Sequence, residues 1–297
     1  MAHHHEMRIK ARKRLTVTTF LTALLAIVEF IGGFLSNSLS LMSDAGHMVT
    51  DLFAMVLILF SIHWATKTPS KQMTYGYYRI EILATLVNGA FLLFIAFEII
   101  WRAIHRFIHP SLVQVHIMLP IASFGLFVNL IAAFLLHKQH EHLATRSAYY
   151  HVLSDTLSSI GVVVAAIIFS LTGWKTIDPL ASLLIAGLIL FGGYRLLREA
   201  IDVLLEASPL HIPLDTVRKV ILEVKGVEDV HDLHVWTISS GFHAASAHLL
   251  IYPMDIRSSE MIVQQVSGKL KNKFSITHTT MQIESLPAPA QIQKVDS

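Results

Sequence analysis

The chain has 297 residues, 53% of them hydrophobic and 15% charged, with a mean hydropathy of +0.56 and a net charge of only +2. A soluble domain carries about 25% charged residues, so the composition excludes a wholly soluble fold and predicts a membrane protein. The absence of cysteine excludes a disulfide framework, thiolate metal sites and dithiol redox chemistry together.

Residues 1–14 form a basic, His-containing tail, with Arg8, Lys10, Arg12, Lys13 and Arg14 just before the first apolar run. No small-residue cleavage site follows a short apolar core, so no removable signal peptide is expected. Six segments are then long enough to span, at about 20 residues each: 15–36, 40–63, 80–104, 116–137, 147–172 and 177–197. The first carries Glu29 and a Gly32-Gly33 pair suited to close helix approach. Lys and Arg gather in the tail, in the link after span two (Lys67, Lys71, Arg79), in the link after span four (Lys138, Arg146) and after span six (Arg195, Arg198). That bias puts both termini in the cytoplasm, and the short loops fit a bacterial cytoplasmic membrane. A transmembrane domain over 15–205 is thus expected.

From residue 206 the composition turns soluble. Pro213–Val224 reads as a helix, Val227–Ile238 and Ala244–Tyr252 as strands, Ser258–Phe274 as a second helix and Ile276–Glu284 as a last strand. That α-β-β-α-β order predicts a small two-layer α+β domain over 206–285, of ferredoxin or metallochaperone type, beside the six-helix membrane domain. Residues 286–297, with two Pro and few apolar side chains, read as a disordered tail.

Two stretches carry chemistry. His47-Met48-Val49-Thr50-Asp51 in the second span and His151-Val152-Leu153-Ser154-Asp155 in the fifth each place a His and an Asp four residues apart, on one helix face. A central Asp costs about 2.5 to 3.5 kcal/mol to insert, so the two together cost roughly 6 kcal/mol. Plain helix packing is the bland alternative, but it rarely repeats that expense with the same partner at the same spacing. Two imidazoles and two carboxylates make a four-ligand site suited to zinc, formally neutral once a divalent cation is bound. Magnesium, calcium and manganese prefer all-oxygen shells. Metal entry would displace protons from such ligands, which couples the two ions without another site. Asp44 falls off the site face, where it would line the outer mouth or cap the helix, and interhelical hydrogen bonding is the expected role of Asn88 and Asn129.

With these motifs, and with Tyr75-Gly76-Tyr77-Tyr78-Arg79-Ile80-Glu81, Asp178-Pro179, His231-Asp232-Leu233-His234-Val235-Trp236 and Thr280-Met281-Gln282-Ile283-Glu284, the chain resembles the cation diffusion facilitator family over nearly its whole length. The resemblance implies a zinc/proton antiporter rather than an enzyme. It also implies a homodimer that alternates between inward-open and outward-open states, with His47, Asp51, His151 and Asp155 as transport ligands. It suggests regulatory zinc in the soluble domain, where His234, His248 and Glu284 offer one ligand per strand and His231 and His278 are further candidates. Strict alternation would put His234 and Trp236 on one face and His231 with Val235 on the other. Glu260 and Gln282 stand where the family's two-metal version has His. Arg79 and Glu206 match a family charge pair, expected to interlock the dimer at its waist. The link 64–74 has no acidic residue, so a family metal site there is expected to be missing. A membrane-anchored zinc sensor and an intramembrane metalloenzyme are the competing readings; the second lacks a His-Glu-x-x-His motif.

Overall fold

The computed structural model describes residues 20–65, 70–137 and 143–285, with backbone alone at 58–59, 62–63, 65, 135–137 and 143–151. The amino tail, the last residues from 286 and the link residues 66–69 lie outside the described residues. Six helices come first: α1 (Phe20–Ser36), α2 (Leu39–Ala65), α3 (Arg79–Ile108), α4 (Val115–His137), α5 (Leu143–Thr172) and α6 (Ile177–Leu204). Among the described residues, Arg79–Ile108, Val115–Phe134, Val152–Thr172 and Ile177–Leu204 are long and apolar enough to cross a membrane, and Phe20–Ser36 is a shorter apolar helix. Large apolar side chains lie bare along them, among them Phe34, Phe94, Trp101, Phe127, Leu171 and Phe191. So much exposed apolar surface is untenable in water and natural against lipid. The helical domain is transmembrane.

Helices α3 and α6 outrun the predicted spans, ending at Ile108 and Leu204. In α6 a pair one turn apart, Arg198–Asp202 at 4.0 Å, continues the helix past the apolar run, and α3 carries His105 and Arg106 in its last turn. A hydropathy boundary is therefore not a helix boundary.

The chain divides into two compact units, Met1–Phe60 with Ala84–Leu197, and Ser61–Leu83 with Arg198–Ser297. In the first, Gly33 lets α1 approach α2, since a Cβ there would stand 2.8 Å from the backbone nitrogen of Met42. The start of α2 is tied to the start of α6. Asp178 accepts from Ser38 Oγ (2.7 Å), the Leu39 amide (2.8 Å), the Ser40 amide (3.2 Å) and Ser40 Oγ (2.6 Å). A carboxylate at a helix N-terminus satisfies orphan amides and complements the dipole. Arg106 stands 3.6 Å from Asp178 and donates to the Asn37 carbonyl (2.6 Å) and to Asn37 Oδ1 (2.7 Å). This lashing sets where α2 begins, and so where its His and Asp fall two and three turns later.

The second unit holds α7 (Leu214–Leu222), β1 (Val227–Ser239), β2 (Phe242–Ile251), α8 (Ile256–Phe274) and β3 (Ile276–Ser285). The predicted α-β-β-α-β order is the observed one. Strand β1 pairs antiparallel with β2 through a tight turn at Gly241, and β3 joins the other edge of β2 in parallel after the α8 crossover. Val217, Val220 and Ile221 of α7 and Ile262, Val266 and Leu270 of α8 pack with Val230, Val235, Leu249 and Ile251 of the sheet. Helix α8 starts two residues before the predicted Ser258 because Asp255 caps it, accepting from the Ser258 amide (3.0 Å) and hydroxyl (2.6 Å). Those bonds, led by the hydroxyl, hold the Asp255 carboxyl below its ordinary value.

Candidate metal centres

The first centre lies between α2 and α5. His47 Nε2 stands 3.9 Å from Asp51 Oδ2, one turn along α2, and 3.6 Å from Asp155 Oδ1 on α5. One ligand atom from each of His47, Asp51 and Asp155 lies within 4.8 Å of the others. Ligands about 2.0–2.2 Å from a tetrahedral zinc stand roughly 3.3–3.6 Å apart, so the two His47 distances lie at or just beyond the spacing of ligands that share one ion. Asp155 is buried, while His47 and Asp51 keep about a fifth of their side chains exposed, at 22% and 18%. His151 lies on α5 one turn before Asp155, but its side chain is outside the described residues.

Asp44 does not sit where the sequence put it. It is buried, and its carboxylate accepts from Ser158 Oγ (2.6 Å) and Ser159 Oγ (2.9 Å) on α5, the next turn after Asp155. Asn129 Nδ2 of α4 donates to the same Ser159 hydroxyl at 3.0 Å, the interhelical bond expected of it. A single-helix projection gave the angle of Asp44 but could not show that α5 covers it. Its signal was compositional: Ser158-Ser159 follows the second His/Asp pair at one turn.

The second centre is on the sheet. His231 Nε2 stands 3.2 Å from Glu284 Oε2, and His248 Nδ1 stands 2.9 Å from Glu284 Oε1. These three residues, one per strand, bring ligand atoms within 4.8 Å of one another. The expectation that His231 faces away with Val235 is corrected. Between His231 and His234 the register slips: His231 pairs with His248 and His234 with Ser246, so β1 spends three steps where β2 spends two. Asp232 takes the extra place with φ at 50°, a bulge that returns His231 to the face of His248. Val235 goes to the core.

His234, expected among the ligands, meets Asp232 instead (3.0 Å), and Asp232 in turn reaches His248 Nε2 at 3.5 Å. The expected His278 lies near the start of β3, opposite Ala244, with its ring 5.5 Å from that of Tyr75. Asp232, inside the His231-Asp232-Leu233-His234 motif, thus joins this centre through its contacts with His234 and His248, a role that strand alternation does not signal. Gln282 donates to Glu284 Oε1 at 3.2 Å.

Toward the start of β2, His243 is buried, its Nδ1 3.0 Å from Thr237 Oγ1 and its ring 5.3 Å from that of His211. Burial pushes its imidazole below the ordinary histidine value, and His211 adds to the shift. Arg79 and Glu206 meet within one chain at 2.7 Å, both well exposed, where such a pair contributes about 0–1 kcal/mol. The left-handed φ of Glu206 (59°) turns the chain just after α6 and presents the carboxylate.

Residues 15–205 match the family model described as the cation efflux transmembrane domain, and residues 209–286 the one described as the cytoplasmic domain of a cation efflux protein. The chain is 39% identical over 290 residues to the cadmium, cobalt and zinc/H(+)-K(+) antiporter of Bacillus velezensis, covering 96% of this chain and 92% of that protein. Against the zinc transporter ZitB of Yersinia pestis the identity is 38% over 275 residues, covering 92% of this chain and 87% of that one. Among solved structures, the metal-bound C-terminal domain of the CzcD transporter from Cuprividus metallidurans is similar at 33% sequence identity and a TM-score of 0.23, over 25% of this chain and 99% of that chain.

Proposed function

Because this chain belongs to the cation efflux family of membrane transporters, we propose that it exports zinc from the cytoplasm in exchange for protons. The observation that carries the reading is the meeting of His47, Asp51 and Asp155 between two helices of the bundle. His151 completes the set as fourth ligand. Zinc is the cargo: two carboxylates balance its charge, and two neutral imidazoles supply the softer donors that it accepts and magnesium does not.

The ligands come from α2 and α5, so a tilt of one helix against the other opens the site to one side or the other, which is alternating access in its simplest form. Protons compete with zinc for the same atoms, so a proton gradient directed inward expels the metal. The names of the relatives, zinc transporter and zinc/H(+)-K(+) antiporter, support both cargo and counter-ion. The protein works as a homodimer in a bacterial cytoplasmic membrane, with both termini in the cytoplasm. The match to the family's cytoplasmic domain supports the dimer, and the Lys and Arg bias supports the orientation.

Zinc flux into proteoliposomes under an imposed pH gradient tests the reading. Asp51→Ala and Asp155→Ala are expected to abolish flux while the chain still inserts and elutes as wild type. Unchanged flux in both would remove the site from the transport path.

The sheet cluster supports a second role. His231, His248 and Glu284, with Asp232 adjacent, hold a regulatory zinc ion reachable from the cytoplasm, which steadies the soluble domains of the dimer.

A further inference from the structure

Glu29 of α1 belongs to neither centre, and its surroundings are unusual. It is 0% exposed, and among the described residues neither carboxylate oxygen has a hydrogen-bond partner. The carboxyl lies against the bare backbone of α4 at Gly125, where a Cβ would collide with Oε1. Among the described residues, the charged groups that act on it are both acidic, Asp44 from α2 and Asp155 from α5. Asp44 already has its donors in Ser158 and Ser159; Glu29 has none.

An ionised carboxylate without a donor in an apolar interior is far costlier than a neutral acid. Two further acids acting on the same group raise that cost. We propose that Glu29 is a proton-carrying residue of the exchange, protonated while the transport site is empty of metal and deprotonated as zinc arrives. The inference rests on the transport-site reading above and adds a residue to it.

The coupling is electrostatic. Zinc brings two positive charges to a cluster that includes Asp155, and so removes the repulsion that kept the Glu29 proton in place. The O–H bond of the carboxylic acid breaks, its electron pair stays on the carboxylate, and the proton passes to water on the side to which the site is open. Return of a proton to Glu29 removes a negative charge that favours the bound cation, and so promotes metal release. By linkage each ion weakens the other's hold to the same extent. No contact between Glu29 and zinc is needed. Gly125 supplies the room: any side chain there would expel the carboxyl from its place.

The test is calorimetry of zinc binding to the full-length protein in detergent, in two buffers of different ionisation enthalpy, which counts protons released per zinc. Glu29→Gln keeps the shape of the neutral acid and cannot release a proton. The expected result is zinc binding retained, with the proton count lower by about one and a shallower dependence of flux on pH. An unchanged count with zinc still bound would overturn the proposal and leave the transport site standing. Loss of zinc binding from the wild-type protein would instead sink the transport-site reading.

Should the variant fail to insert, infrared difference spectra of wild-type protein with isotope-labelled glutamate serve in its place. A labelled carboxylic-acid carbonyl band present without zinc and lost on its addition is expected. Its absence near neutral pH overturns the assignment.

Discussion

The two metal centres use the same donor types in opposite settings. In the bundle, His47, Asp51 and Asp155 meet between helices, and Asp155 is 95% shielded as a side chain. On the sheet, His231, His248 and Glu284 meet at a surface, with about a third to a half of each side chain open. Low dielectric in the first makes every charge count, so on the proposed reading cargo and counter-ion must balance. Water around the second screens the same charges, so it can gain or lose a metal with little effect on the fold. On the reading proposed above, burial rather than ligand identity separates the transport site from the regulatory one.

The sharpest way to break this contrast is to remove one imidazole from each centre. His47→Ala is expected to lower zinc flux by ~100-fold or more, since it leaves the ion's coordination shell one donor short inside the bundle. His248→Ala is expected to cost less than ~10-fold, and to show instead as weaker metal-induced stabilisation of the soluble domain. Equal losses of flux would mean that the two centres act as one.

A second measurement addresses how rigidly the buried centre is held. Asp178→Ala removes the acceptor of four hydrogen bonds at the start of α2 and leaves Arg106 without its carboxylate. The expected loss is about 3–5 kcal/mol of stability, read as a drop in the melting temperature of the solubilised protein. Asp178→Asn, which keeps one acceptor oxygen, should lose less.

On the exposed side the pH response of the sheet sharpens the picture. His243 is held below the ordinary histidine value near 6.5, so the unfolded chain binds its proton more readily than the folded one. Its contribution to stability is therefore complete above about 6.5 and is lost as pH falls toward the lowered value. Protection factors of the β1 and β2 amides, taken relative to the intrinsic exchange rate at each pH, should fall between pH 7.5 and 5 by more in wild type than in His243→Gln. The smallest effect is expected at the surface: a double-mutant cycle on Arg79 and Glu206 within the chain should return at most about 1 kcal/mol.

Much of the fold was legible because its signals are local. Apolar runs gave the six helices, and alternation with turn residues gave the order of α7 to β3. The pairing of His47 with Asp51 follows from four-residue spacing alone. Ends were less legible: α6 runs on to Leu204 through Arg198 and Asp202, whose pairing supports a helix that hydropathy does not mark. The least legible were partners on other elements, such as Ser158 and Ser159 for Asp44, because one helix viewed by itself has no neighbours.

The sequence by itself determined the helices, the small α+β domain and the two His/Asp pairs, since periodicity and spacing act within a few residues along the chain. Only the tertiary structure decided that Asp232 bulges and turns His231 toward His248, that β3 joins β2 in parallel, and that Glu29 is shut against Gly125. Those outcomes depend on which surfaces meet across the chain, and the energy of that meeting is stored in no single segment.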